Sequence, residues 1–399
     1  MVVPCKDEPA LGETLASLCR TTPPPRFAEV IVVVNASTAD PDAVRARSAA
    51  NAAEARAVAR ARGAAAPVLH VIEELELEPR HAGVGLARKL GMDEAAARLD
   101  AVGAARGGVI VCLDADCTVA PTYLAEIAAW FERHPRADAA SIAFEHDLES
   151  VVEPRHRAGI AGYELFLRCH VHGLRLAGHP SAIHTIGSSM AVRAETYAIH
   201  GGMNRRKAGE DFYFLQKLVE HGAVGTIRST TVFPSPRVSD RVPFGTGRAI
   251  GDWLAGDEAE FLAYDARVYS MLGELVARIE RWWGARQADP LDGLPAVVVD
   301  FLVAEGFPEA LGGMFANATT LASFRARFLA WLSPFRALKL VHHLTREHLP
   351  RRPVTETAAA LAASARPGGG DPPLVAVGVE PWLEWFRRID REAPGEEDR

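Results

Sequence analysis

What this 399-residue chain lacks narrows its class before any motif is read. It has no apolar run near the roughly 18 residues that span a bilayer. Its first residues also lack the basic stretch and following apolar stretch of a secretory leader. Positive charge is not in excess: Lys and Arg number 44 against 51 Asp and Glu, a formal net charge of −7. That excludes the polycationic character that favours nucleic acid, so any nucleotide site has to be local. Cysteine is scarce and odd in number, and Cys5, Cys19, Cys112, Cys117 and Cys169 read as free thiols of a reducing compartment. No internal repeat is visible. The expectation is a soluble, cytoplasmic protein with no transmembrane segment and no nucleic-acid partner.

What is present is the composition of a globular protein, 48% hydrophobic and 24% charged, long enough for one large or two ordinary domains. The N-terminal third alternates strand and helix. "VVP" is a strand fragment, and "PALGETLASLCR" follows with Leu11, Leu15 and Leu18 on one helical face. "EVIVVVN" is a short continuous apolar run, the pattern of a parallel strand covered on both faces. An Ala/Arg-rich helix at about 41–62, the strand "PVLHVI", a helix near 84–101 and the strand "VIVCL" complete a β-α-β-α-β-α-β order. Right-handed crossovers make this one parallel sheet, which binds ligands at the carboxyl ends of its strands.

One of those ends is "GGVIVCLDADCTVAP", residues 107–121, where a buried strand delivers Asp114 and Asp116. Two carboxylates one residue apart can face one crevice and hold a hard divalent cation through oxygen, and such a cation can bind a nucleotide's diphosphate. The competing reading is a solvated turn, since Asp is common in turns.

Six segments in order, "VVPCKDE", "VVVNAST", "GVGLARKLGMDEA", "CLDADC", "GSSMAVRAETY" and "GGMNRRKAGEDFYFLQKL", resemble the landmarks of a GT-A glycosyltransferase of family 2. The resemblance covers about residues 1–235. It implies an α/β fold of the GT-A type, Rossmann-like, with a mostly parallel sheet flanked by helices. It also implies hexosyl-type transfer, with inversion, from a nucleoside diphosphate-sugar donor to an acceptor hydroxyl, assisted by Mg²⁺ or Mn²⁺. Carried over by position, Asp116 ligates the metal and Asp114 contacts the metal or the donor ribose. Pro4, Asp7 and Glu8 match the nucleotide-binding edge, and Arg88 matches a usually basic position; a solvated helix charge is its other reading. The family often has "DDGS" after the second strand, where this chain has Val34 and Asn35, so the preferred nucleobase can differ. Met1 begins inside the first strand, where the family usually has several more strand residues. Gly83 and Gly85 do not make a dinucleotide fingerprint, because they precede the fourth strand rather than follow the first.

In "AGEDFYFLQKLVEHG" the residues Phe212, Leu215, Leu218 and Val219 form an apolar helical stripe, Gly222 a stop, and Glu210 and Asp211 the helix start. The helix dipole favours acidic residues there with no function required, and the same field keeps a carboxylate ionised as a base needs. The resemblance makes Asp211 the base and Glu210 a supporting carboxylate. "GSSMAV" reads as a strand lining the acceptor side, with Gly187 allowing close approach of substrate or backbone, and Ser188 and Ser189 as sugar-hydroxyl candidates. Arg237, Arg241 and Arg248 in "PSPRVSDRVPFGTGRA" are candidates to cover the donor and hold its diphosphate. "CHVHG" has metal-ligand residue types but no second cluster at zinc spacing. His179 and His184 are candidates only because they flank the strand.

The domain reading is 1–245 catalytic, with a nucleotide half at 1–118 and an acceptor half at 119–245, followed by a helical region at 246–399. Its basic aromatic helix at 330–344 suits core packing or peripheral membrane contact. Two rivals stand beside the transferase. A nucleotidyltransferase would want a Gly-rich basic loop after the first strand, which "PCKDEPALG" matches poorly. A non-catalytic nucleotide-sugar-binding protein would have no need of the two acidic pairs.

Overall fold

A computed structural model describes residues 1–206, 209–239, 245–285, 291–364, 371–374 and 378–392. The chain divides into two compact units, one of Met1–Ile160 and Thr185–Asp252, the other of Ala161–His184 and Trp253–Pro394.

The first unit begins β1 (Val2–Cys5), α1 (Leu11–Cys19), β2 (Glu29–Ser37), α2 (Asp42–Ala61), β3 (Val68–Leu77), α3 (Val84–Ala101) and β4 (Val109–Cys112), the order expected from the alternating apolar runs. It continues through β5 (Thr118–Val119), α4 (Tyr123–Arg133), β6 (Ala139–Phe144), the first turns of α5 (Pro154–Leu176), β7 (Met190–Arg193), α6 (Ala194–Ile199), α7 (Glu210–His221), β8 (Val224–Phe233) and most of α8 (Thr246–Ala255). One eight-stranded sheet has the order β3-β2-β1-β4-β7-β6-β8-β5. β1 runs parallel to β2 and β4, and β2 to β3, so the chain reverses its direction of winding at the β1/β4 boundary. That is where an open sheet opens a crevice for ligand. β7 is antiparallel to both β4 and β6. The fold is therefore α/β with the sheet expected, and "GSSMAV" becomes a strand only from Met190.

The core that positions the site lies on the face of the sheet covered by α3 and α7. Val2, Ile31, Val33, Ile110, Cys112, Met190 and Val192 from the strands pack with Ala87, Met92, Ala95, Phe214, Leu215 and Leu218 from the helices. Gly91 lets α3 approach, because a Cβ there would meet Val2 and Val33. The buried stripe of α7 is Phe214, Leu215 and Leu218, with Phe212 only half-buried. Either aromatic satisfies a 3.6-residue period, and the sheet's position selects Phe214.

The second unit contains the rest of α5, a two-stranded antiparallel pair of β9 (Leu262–Ala263) and β10 (Arg352–Pro353), and helices α9 (Arg267–Ala285), α10 (Ala296–Ala304), α11 (Phe307–Asn317), α12 (Leu321–Trp331), α13 (Pro334–Glu347), α14 (Val354–Ser364) and α15 (Val379–Glu392). This is the helical C-terminal region that the amphipathic segments predict. α13 buries Ala337, Leu340, Val341 and Leu344, so the apolar face of the basic aromatic helix packs in a core. Among the described residues no helix is long and apolar enough to cross a membrane. The "CHVHG" residues lie on α5, where His170 Nδ1 meets the Tyr269 hydroxyl at 2.9 Å and His172 Nε2 meets Asp390 at 2.8 Å.

A buried ionic network fastens α15 to α5 within this unit. Glu164 is fully buried and accepts from Arg168 (2.7 and 3.0 Å) and Arg387 (2.8 Å on each oxygen), while Arg168 also donates to Asp390 at 2.6 Å. Breaking such a pair from one side leaves charge buried without its partner, which costs more than the pair contributes when whole. Glu164→Gln should lower the unfolding free energy by about 3 kcal/mol or more, read by urea denaturation. An unchanged midpoint would show that the network is not a source of stability.

Candidate functional site

Arg88 stands on the buried stripe of α3, at the helical spacing of Gly91, Met92 and Ala95, and is 3% exposed. It is not a solvated helix charge. Its guanidinium donates through Nη2 to Asp114 Oδ1, just beyond β4, and through Nη1 to Glu210 Oε1 at the start of α7. Burial alone would weaken its charge, yet attraction to Asp114, Glu210 and Asp211 outweighs this and holds the guanidinium above its ordinary range. One side chain thus joins the D-x-D pair to the E-D pair.

Two glycines allow close approach here, one of them to Arg88. A Cβ at Gly187 would collide with the Arg88 guanidinium, and a Cβ at Gly85 with the Arg206 carbonyl. Gly187 therefore admits Arg88, where the sequence suggested substrate or backbone. The chain before α7 is further fixed by Asn204, which donates from Nδ2 to the Glu210 carbonyl (3.1 Å) and accepts from the Arg206 N–H (3.0 Å). Gly209 takes a left-handed backbone (φ 72°) to turn into the helix.

At that helix start the Asp211 carboxylate accepts the N–H of Phe212 at 2.7 Å and that of Gly187. The expectation from the helix dipole was a carboxylate held ionised. Burial is the larger influence here: it raises both Glu210 and Asp211 above the ordinary carboxylate range, against the lowering effect of Arg88.

Asp116 lies with a second arginine. Arg237, beyond β8, forks onto Glu8, with Nη1 to Oε1 at 2.7 Å and Nη2 to Oε2, and its Nη2 stands 3.6 Å from Asp116 Oδ2. Glu8 follows β1 and is 1% exposed; Asn51 on α2 clamps its backbone through both N–H (3.0 Å) and C=O (2.7 Å). Asp7 has a left-handed backbone (φ 48°), which Asp tolerates, and pairs with Arg47 at 3.0 Å. Lys6 and Asp40, neither singled out by the sequence, tie the loops after β1 and β2 together at 2.7 Å. Pro4 lies within β1, in register with Val33. Asn35 lies inside β2, 2% exposed, and its Nδ2 has no hydrogen-bond partner among the described residues. Ser188 bonds the buried Cys117 thiol, and Ser189 Oγ is buried without a partner there.

Other candidates lie apart. Arg248 pairs with Asp252 on α8 at 3.0 Å. Arg241 lies outside the described residues. His179 is held by Ser181 Oγ (2.6 Å) and the Leu332 carbonyl (2.8 Å) in the second unit, and burial in that unit pushes His184 down to about 3.

Among the described residues no group of three or more His, Cys, Asp or Glu side chains is placed to hold a metal. Asp114 and Asp116 are two partly exposed carboxylates. That donor set suits Mg²⁺ or Mn²⁺ when water and diphosphate oxygens complete the shell, and does not suit a self-sufficient protein cage.

Residues 86–197, which carry Arg88, the D-x-D pair and Ser188–Ser189, match the model of glycosyl transferase family 2. No curated protein matches the chain. The solved structures it resembles include S. aureus TarS 1-349 in complex with UDP, at 14% identity over 87% of this chain and 90% of that one, with a TM-score of 0.41. Another is S. aureus TarS 1-349 in complex with UDP-GlcNAc, at 14% identity over 81% and 88%, with a TM-score of 0.42. With TM-scores below 0.5 neither likeness bears on the chemistry.

Arg88→Met should destabilise the protein by about 3–5 kcal/mol, because Glu210 then stays buried without its cation. The loss should depend on pH. A carboxyl raised in the folded state holds a proton that the unfolded chain has released, so stability falls as pH rises through that window, and removing Arg88 extends the window upward. Urea titrations at pH 5 and pH 8 would show a larger deficit at pH 8; an equal deficit at both would mean Glu210 is not held by Arg88.

Proposed function

We infer that this chain, a glycosyltransferase by its family 2 segment, moves a sugar from a nucleoside diphosphate-sugar to an acceptor hydroxyl with inversion, using a divalent cation at its D-x-D pair and a carboxylate base. The observation that carries the reading is the buried Arg88, which holds Asp114 and Glu210 from two distant motifs in one cluster.

In this reading the nucleoside lies along the carboxyl ends of β1 and β2, beside Pro4, Asp7 and Asn35. The buried Nδ2 of Asn35 needs an acceptor, which a nucleobase edge can supply in place of the proton donor that an aspartate would seek. Asp116 and Asp114 would hold Mg²⁺ or Mn²⁺, whose charge, when bound, neutralises the departing diphosphate. Arg237 reaches the same place from the other side and adds a paired hydrogen-bond donor for phosphate oxygens. Arg88 keeps Asp114 and Glu210 in fixed register, so the donor side and the acceptor side keep their spacing. Asp211 removes the acceptor proton as the sugar–oxygen bond forms. Its raised proton affinity makes it a stronger base than a solvent-exposed aspartate. The nucleotidyltransferase rival is disfavoured because the loop after β1 presents Glu8 and a Lys6 already engaged by Asp40. The intact D-x-D and E-D pairs argue against a binding protein without turnover.

Asp211→Asn keeps the bond to the Phe212 N–H through the amide oxygen and leaves the D-x-D pair untouched. Transfer should fall by about 10² to 10⁴-fold while nucleoside diphosphate affinity stays within a few-fold. In the unaltered protein, transfer should decline as pH drops through Asp211's raised value, because the base must be ionised. The measurement is transfer from a panel of nucleotide-sugars across pH, beside nucleotide titration. Near wild-type transfer in Asp211→Asn would place the base elsewhere.

A further inference from the structure

The two arginines of the site are not equivalent. Arg88 is sealed under α3 and α7, with Asp114, Glu210 and the Gly187 backbone around its guanidinium. Arg237 has a side chain 29% exposed and follows β8 in an irregular stretch, whose Pro236 carbonyl meets His156 Nε2 at 2.7 Å. Its partner Glu8 cannot follow it. The Glu8 backbone is clamped by Asn51 on both sides, and its carboxylate also accepts the Ala10 N–H at 2.9 Å. Arg237 is therefore the movable member of the Glu8–Arg237–Asp116 cluster. Two carboxylates facing one cationic group is also the demand that a divalent ion meets, so guanidinium and metal compete for Asp116.

We propose that Arg237 is the resident cation of the site. It holds Glu8 and Asp116 together, yields Asp116 to a divalent cation, and turns its fork to the diphosphate that enters with that cation. Metal and nucleotide binding are then coupled through one side chain. Metal alone has to displace a guanidinium that already faces Asp116 and has no other anion to take it up, so it binds weakly. Metal with diphosphate binds well, because the displaced guanidinium gains phosphate oxygens as partners. The proposal rests on the donor and metal reading above and adds the order and coupling of binding.

The test is Mn²⁺ titration of the full chain, with free Mn²⁺ read by electron paramagnetic resonance. It is followed by calorimetry with UDP, GDP, CDP and ADP at saturating Mn²⁺. Removing a competing charge a few ångströms from the ion should tighten binding of Mn²⁺ alone by about tenfold or more in Arg237→Gln. Nucleoside diphosphate affinity at saturating Mn²⁺ should fall by roughly tenfold, because the bidentate donor is gone. Arg106→Gln removes an exposed arginine paired with Glu195 and controls for net charge; it should leave both affinities unchanged. If Arg237→Gln does not fold with Glu8 left facing an amide, Glu8→Gln/Arg237→Gln is read against Glu8→Gln alone, and the same tightening is expected between those two. If the unaltered protein binds Mn²⁺ with a nucleotide but the Arg237 variants bind Mn²⁺ alone no more tightly, the resident-cation proposal is wrong and the donor reading stands. If no variant binds Mn²⁺ with or without nucleotide, the metal reading fails and takes this proposal with it.

Discussion

The first unit depends on a guanidinium that has been taken out of water. Burying Arg88 is costly, and the cost is offset only because Asp114 and Glu210 meet it with Asp211 close enough to add attraction. Those groups arrive by three routes: one past β4, two at the start of α7, and the arginine itself from the apolar stripe of α3. Their meeting requires α3 and α7 to share one face of the sheet. That in turn needs Gly91 against Val2 and Val33, and Phe214, Leu215 and Leu218 in the same core. The packing and the charge cluster are one constraint seen from two sides, because neither helix can shift without separating the ions.

The strand-helix alternation of the first third was legible because each parallel strand is a short apolar run bounded by turn residues, and the helix at 84–101 ends where the pattern says it should. The D-x-D pair was legible for the same reason: a strand end is a predictable place. Arg88 was legible only as a choice between two readings. A periodic pattern marks its position as buried, but the residue type argues for solvent, and only the partners decide. Gly187 shows the converse. Its small size was a correct signal of close approach, while the identity of the approaching group, a side chain nearly a hundred residues earlier, is a property of the sheet order.

The loop arginines divide along similar lines. Arg237 and Arg248 look alike in a Pro/Gly-rich stretch, yet one reaches Glu8 and Asp116 and the other lies on a helix beside Asp252, four residues on. The second pairing could have been read from the i,i+4 spacing. The first spans 229 residues and could not. The shift at Asp211 was also beyond the sequence, because a helix dipole can be inferred from position but desolvation depends on what covers the carboxylate.

The site's charge balance favours a ligand that brings both signs. Two arginines face Asp114, Glu210, Glu8 and Asp116, so carboxylates outnumber guanidiniums and the cluster favours added positive charge. A free diphosphate alone would add negative charge to that excess. A divalent cation alone would have to enter beside Arg237. In the proposed reading the pair entering together would satisfy both conditions: the cation would take up the surplus of carboxylate, and the phosphates the arginine that it displaces. The proposed preference for a metal–diphosphate unit over either component rests on that balance, among residues whose own partners are fixed by the fold.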